Sequence, residues 1–178
     1  MTNIFPFGNQ LWFIVFPYVA MFSFLLGTIV RYRKDPYSYS SLSSQFLENR
    51  QHFWGLVPFH YGIVTVLAGH LVAFLLPRQI LSWDSRPLRL YTLEIASLIF
   101  GLLTVVGLLG AIKRRLTVSK VRQVTSALDW VVLSLLLLQV ASGVYVAVFH
   151  PWGSAWFAAA VSPYLWSLVR FDPQMNFV

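Results

Sequence analysis

Cysteine is absent from the 178 residues. That absence removes disulfides, thiolate zinc sites and iron–sulfur clusters from what the chain can build. Any redox group must be held by histidine or methionine, or without a bond to the protein. Charge is scarce too: 11% of residues are charged, against about 25% in an ordinary soluble domain. Acidic residues are scarcest, with 6 Asp and Glu beside 13 Lys and Arg. What fills the space is apolar, at 57% of the chain.

The charges are missing from particular places. Leu11 to Val30, Trp54 to Leu76, Leu90 to Ile112 and Leu128 to Phe149 are long apolar stretches. Each has about the 20 residues that a helix needs to cross a hydrocarbon core roughly 30 Å thick. The first has no formal charge; the third carries Glu94 near its start, and the fourth carries Asp129 and Gln139. Four buried helices of a soluble protein would need far more polar chain to clothe them. A cleaved leader does not explain the first stretch, because Met1 to Gln10 has no Lys or Arg and the basic cluster follows it. The expected fold class is all-α, a transmembrane helix bundle with four spans in a single domain over residues 1–178. The tail from Ser154 to Val169, with Pro163 inside it, reads as a segment at the outer surface.

Basic residues orient the bundle. Arg31, Arg33, Lys34 and Arg50 follow the first span, and Lys113, Arg114, Arg115, Lys120 and Arg122 follow the third. The opposite side has Arg78, Arg86, Arg89 and Arg170. The excess places loops 31–53 and 113–127 in the cytoplasm. It also accounts for the formal charge of +7 without nucleic acid. Trp12, Tyr18, Trp54, Trp83, Tyr91, Trp130 and Trp152 fall mostly near span ends, where an amphipathic ring bridges the headgroup boundary.

The second span holds two histidines, in Phe59-His60-Tyr61-Gly62 and Ala68-Gly69-His70. An ionisable side chain inside a membrane span is a functional candidate by default, and histidine is the common nitrogen ligand of haem iron. Ten residues separate the two along the helix by about 15 Å and rotate them by some 80° short of whole turns. That offset suits two haems stacked across a bilayer, approaching the helix from neighbouring directions. Gly62 and Gly69 share a face and leave room for a flat macrocycle, or else for a packed helix. His52 and His150 read as solvated or interfacial residues.

Several passages together resemble one family. Phe59-His60 with Gly69-His70, then Lys113-Arg114-Arg115-Leu116 leading to Val121-Arg122 and Thr125, then Asp129 followed by Ser134-Leu135-Leu136, Gln139 and Gly143, occur in order. With Ser43-Ser44-Gln45-Phe46-Leu47 ahead of the second span, they are similar to the gamma subunit of respiratory nitrate reductase, a di-haem cytochrome b. The resemblance implies a subunit of the bacterial inner membrane that oxidises quinol near the outer face. Electrons would pass through two b haems to an iron–sulfur beta subunit and a molybdenum alpha subunit that reduces nitrate. Carried over by position, His60 is an axial ligand of the inner haem and His70 of the outer one. The quinol pocket would involve Gly69 and His70, with Arg89 or else Arg86 as the basic residue that the family places in the loop between the second and third helices. The family has a fifth helix with two further histidine ligands. Its lack of a counterpart before Val178 suggests a chain truncated at its C-terminus. Two other readings stand beside this one: the cytochrome b subunit of a sulfur-cycle or heterodisulfide-type complex, and a haem-free anchor or proton-handling transporter.

Overall fold

A computed structural model describes residues 6–34, 52–150 and 152–175. The passage from Ser43 to Leu47 and Arg50 lie outside the described residues, as do the side chains of His52 and Trp54. Among the described residues all regular structure is helical, and four helices are long and apolar enough to cross a membrane: Gly8–Lys34, Gly55–Leu75, Pro87–Thr117 and Ala127–Phe149. These match the four expected spans, and the chain is an all-α transmembrane helix bundle.

Chain contacts divide the molecule into two compact units, Met1–Leu42 with Pro163–Val178, and Ser43–Ser162. In the first unit, α1 (Pro6–Gln10) runs through a π-helical turn, Leu11–Val15, into α2 (Phe16–Lys34). No residue of α2 is buried; Phe24 is 70% exposed and Leu26 61%. In water such a surface would be an aggregation site, whereas lipid is its proper solvent. The segment after Pro163 is held to this helix by tyrosines. Tyr164 Oη donates to the Phe13 carbonyl at 2.6 Å, Tyr18 Oη donates to the Leu168 carbonyl at 2.9 Å, and Tyr18 stacks on Phe171 at 5.6 Å. Burial, and then the neighbouring Tyr18, push the Tyr164 hydroxyl above its ordinary 10.0.

The second unit contains α3 (His52–Leu75), α4 (Pro77–Asp84), α5 (Pro87–Thr117), α6 (Ser119–Gln123), α7 (Ala127–Phe149) and α8 (Gly153–Trp156). A π-helical turn, Phe157–Val161, then leads into α9 (Ser162–Val169). Proline opens α4 and α5, at the position where its missing N–H has no helical partner to lose. α7 starts with a capping box: the Asp129 N–H donates to Ser126 Oγ at 3.2 Å, and the Ser126 N–H donates to Asp129 Oδ2 at 2.8 Å. The last basic residues of the third span are helical, not loop: α5 runs on to Thr117. Within that turn Lys113 is exposed, while Arg114 is only 5% exposed.

α5 is the central helix, packed on α3 and on α7. Its seam with α3 is made of missing side chains. A Cβ on Gly55 would come within 3.2 Å of Ala111 N, one on Gly62 within 2.7 Å of the Phe100 carbonyl, and one on Gly107 within 2.6 Å of Phe59 Cα. Backbones therefore touch, the usual way helices associate in lipid, where no hydrophobic force drives them together. The contacts pair Gly55 with Ala111, Phe59 with Gly107 and Gly62 with Thr104, so the two helices are antiparallel in constant register. Gly62 is thus a packing glycine. Gly69, expected to share its role, borders open space: a Cβ added there would meet nothing within 4 Å.

Candidate functional site

His60 and His70 sit on α3 with the same local chemistry. The Nδ1 of His60 lies 2.8 Å from the Leu56 carbonyl, and the Nδ1 of His70 lies 2.8 Å from the Val66 carbonyl. A carbonyl oxygen only accepts, so each Nδ1 carries the hydrogen, and it is Nε2 that bears the lone pair of the neutral ring. Both side chains are exposed on the span. The tether one helical turn back fixes each ring's orientation, as a backbone carbonyl commonly does for a metal-ligating histidine.

The surroundings of the two rings differ. His60 meets the neighbouring Phe59 ring at 5.2 Å, edge to face. His70 meets Phe157 at 5.1 Å, also edge to face, so the π-helical turn reaches the second histidine. Ser162 Oγ anchors that region by donating to the Ala73 carbonyl at 3.0 Å, one turn beyond His70. π-turns inside helices are found often at functional sites.

Among the described residues no three His, Cys, Asp or Glu side chains gather to hold a metal ion. What α3 offers instead is two single imidazole nitrogens, the donor set of a metal whose other bonds come from its own macrocycle. The open space at Gly69, beside His70, suits a flat group. Gly62 leaves none.

Arg89, expected beside Gly69 and His70, is engaged elsewhere. Its guanidinium lies over the Trp83 ring at 4.9 Å, a cation–π contact. Carried onward, the antiparallel register sets His70 level with about Ala96, so Arg89 stands about 10 Å farther along the axis. Gly69 and His70 adjoin, and Arg89 is set apart from them.

The whole chain is similar to one family. Residues 9–178 match the family model described as nitrate reductase gamma subunit. The chain belongs to the nitrate reductase gamma subunit family. It is 33% identical over 152 residues to the respiratory nitrate reductase 2 gamma chain of Escherichia coli, covering 82% of this chain and 66% of that one. It is 31% identical over 173 residues to the nitrate reductase gamma chain of Bacillus subtilis, covering 95% of this chain and 77% of that one. A second E. coli relative, the respiratory nitrate reductase 1 gamma chain, is 31% identical and 64% covered. The chain thus spans a little under two thirds of the length of its E. coli gamma-chain relatives.

Other features of the gamma-family chain were missed in the sequence. Both carboxylate oxygens of Asp84, Oε1 of Glu94 and Oγ of Ser154 are buried with no hydrogen-bond partner among the described residues. Such groups call for an explanation, because burial strips their water. Trp152 adopts a left-handed backbone at φ 75°, rare for a bulky residue. Neither leaves a signature in composition or periodicity. The Ser126–Asp129 capping box does: Ser-x-x-Asp before an apolar run is a legible helix start.

Proposed function

We propose that this chain is a haem b subunit of a respiratory nitrate reductase, oxidising quinol near the outer face and delivering electrons inward. The observation that carries the proposal is the matched pair of imidazoles on one span. Each has Nδ1–H tied to a carbonyl and Nε2 left for a ligand. His60 and His70 would each hold a haem b through Nε2, and the group would supply one-electron chemistry when bound. The residues of this chain orient that chemistry. Their carbonyl tethers set the ring directions, and the rise of α3 sets their offset at about 15 Å.

The family relationship supports the rest of the reading. A gamma chain works with other subunits, here an iron–sulfur beta subunit and a molybdenum alpha subunit. The basic segments 31–53 and 113–127 face the cytoplasm of a bacterial inner membrane, which puts His60 toward the inside and His70 toward the outside. Electrons then travel inward while the protons of quinol stay outside. Gly69 and His70 border the quinol site; Arg89, held by Trp83, contributes at most at a distance.

A reduced-minus-oxidised spectrum of the whole complex tests the proposal. A b-type α-band reducible by quinol analogues is expected, and His60→Ala and His70→Ala should each remove one component of it. No b-type band with every subunit present would end the proposal. It would leave the haem-free anchor or proton transporter.

A further inference from the structure

The end of α3 leaves one carbonyl without its helical partner. Four residues beyond Ala73 stands Pro77, which opens α4, and a proline has no N–H to give back to Ala73. Ser162 Oγ takes that place from another element, donating to the Ala73 carbonyl at 3.0 Å. Ser162 is 0% exposed, so water does not compete for the bond, and the π-helical turn Phe157–Val161 is fixed to α3 at one point. Phe157, at the other end of the turn, supplies a second point by meeting the His70 ring edge to face at 5.1 Å. His70 and Ala73 are three residues apart on α3 and share a face.

The π-turn lets one segment reach both points. Phe157 and Ser162 are five residues apart, and in an α-helix five residues turn through about 500°, which leaves the two side chains about 140° apart. Here the Ser162 N–H donates to the Phe157 carbonyl, and a bond of that span sets the two residues one above the other. Ala158, between them, is 1% exposed, so the wide turn is packed. The His70 ring is thereby held twice: its Nδ1 is tied to the Val66 carbonyl at 2.8 Å, and Phe157 stands against it. A swing about the Cβ–Cγ bond breaks both contacts. His60 has the same tether, but the aromatic ring beside it is Phe59, its own neighbour in sequence.

We propose that Phe157 is the positioning residue of His70: carried by the π-turn and anchored through Ser162, it sets the plane of the outer imidazole and so the direction in which Nε2 is offered. This role rests on the haem reading above, and it makes the outer ligand the one whose aim depends on a second element of the chain.

Solid-state nuclear magnetic resonance of the full chain in nanodiscs, with labelled histidine, tests the ring itself; His60→Gln and His70→Gln assign the two signals. Phe157→Leu keeps apolar bulk and removes the aromatic ring. It should shift the His70 signals and lower the ratio of tethered to untethered ring about 2- to 10-fold, the worth of one aromatic pair, while His60 stays in place. Phe157→Tyr keeps the ring and should restore the native signals. Ser162→Ala frees the anchor without touching either ring and should move His70 the same way by less, which keeps the test open if Phe157→Leu does not fold. In the assembled complex, electron paramagnetic resonance of the oxidised haems reads the ligand plane. The signal of the haem on His70 should move in Phe157→Leu and return in Phe157→Tyr, with that of the haem on His60 unmoved. Unchanged His70 signals in both Phe157→Leu and Ser162→Ala overturn the inference. So does an equal displacement of His60 and His70, which would mean a general loosening of α3. A normal b-type band with unmoved resonances sinks the positioning role alone. A shift confined to His70, in a chain whose complex has no b-type band, supports the hold of Phe157 on the ring and sinks the haem reading.

Discussion

Replacing Gly107 by alanine should loosen the bundle, and replacing Gly69 should not. A Cβ at Gly107 would stand 2.6 Å from Phe59 Cα, where ordinary contact begins at 3.4 Å. The blocking atoms are Phe59 N and Cα and the Cβ fixed to them, so no side chain can swing away, and α3 and α5 must part by at least about 0.8 Å. A gap of about 0.5–1 Å forfeits a quarter to a half of each dispersion contact along the seam. Overpacking of this kind costs about 1–3 kcal/mol. At Gly69 the same methyl meets nothing within 4 Å. Both substitutions gain the helix propensity of alanine over glycine, about 1 kcal/mol in a helix interior, so that gain cancels between them. The difference in stability between the two variants therefore isolates the seam. It should be about 1–3 kcal/mol, or about 5- to 150-fold in the unfolding equilibrium. Unfolding in mixed detergent micelles, followed by far-ultraviolet circular dichroism, reads it. Equal midpoints for the two variants would refute the backbone-contact account of how α3 and α5 associate.

Other expectations concern local devices. Ser126→Ala removes one half of the α7 capping box and should cost about 1 kcal/mol in the same assay; an unchanged midpoint would mean that the start of α7 is held by other contacts. Tyr164→Phe deletes the bond to the Phe13 carbonyl, for a loss of about 0.5–1.5 kcal/mol at neutral pH. Because burial raises the Tyr164 hydroxyl above 10.0, its contribution is complete below pH 10.0 and is lost as pH climbs through the folded-state value. An alkaline titration followed by near-ultraviolet circular dichroism should show that loss in the native chain and not in Tyr164→Phe. Arg89→Gln should release the Trp83 ring and shift tryptophan emission while leaving any b-type band in place. Loss of the band would place Arg89 closer to the histidines than the helix register does.

The four spans were legible because a bilayer enforces length and apolarity over whole helices, and both can be counted along a sequence. His60 and His70 stood out for the same reason, as polar exceptions within an apolar run. Their tethers were not legible, since a rotamer that returns Nδ1 to a carbonyl leaves no trace in residue order. Gly62 and Gly69 show where periodicity stops helping. Seven residues apart, they share a helix face, yet α5 covers that face at one and not at the other. Arg114 failed differently. In the sequence it counts as one charge of a cytoplasmic loop, but α5 continues through it and turns it inward while Lys113 stays out. Which member of a basic run is buried depends on helix phase at the very end of the element, where sequence is least informative. The hollow at His150 is lined by Leu81 of α4, Val146 of α7 and Ala159 of the turn after α8, and only tertiary structure brings those together.

The tether of each imidazole to its own helix has a consequence for how the protein meets membranes of different thickness. Both rings are fastened to the rod that carries them, so a thinner bilayer that tips α3 tips both together, like marks on a ruler. Their mutual spacing stays near 15 Å along the rod. Even a tilt of about 30° shortens its projection on the membrane normal by only about 2 Å. On the electron path proposed above, the gap between the rings is thereby insulated from lipid composition, and what changes with thickness is how far each ring lies from its own water surface.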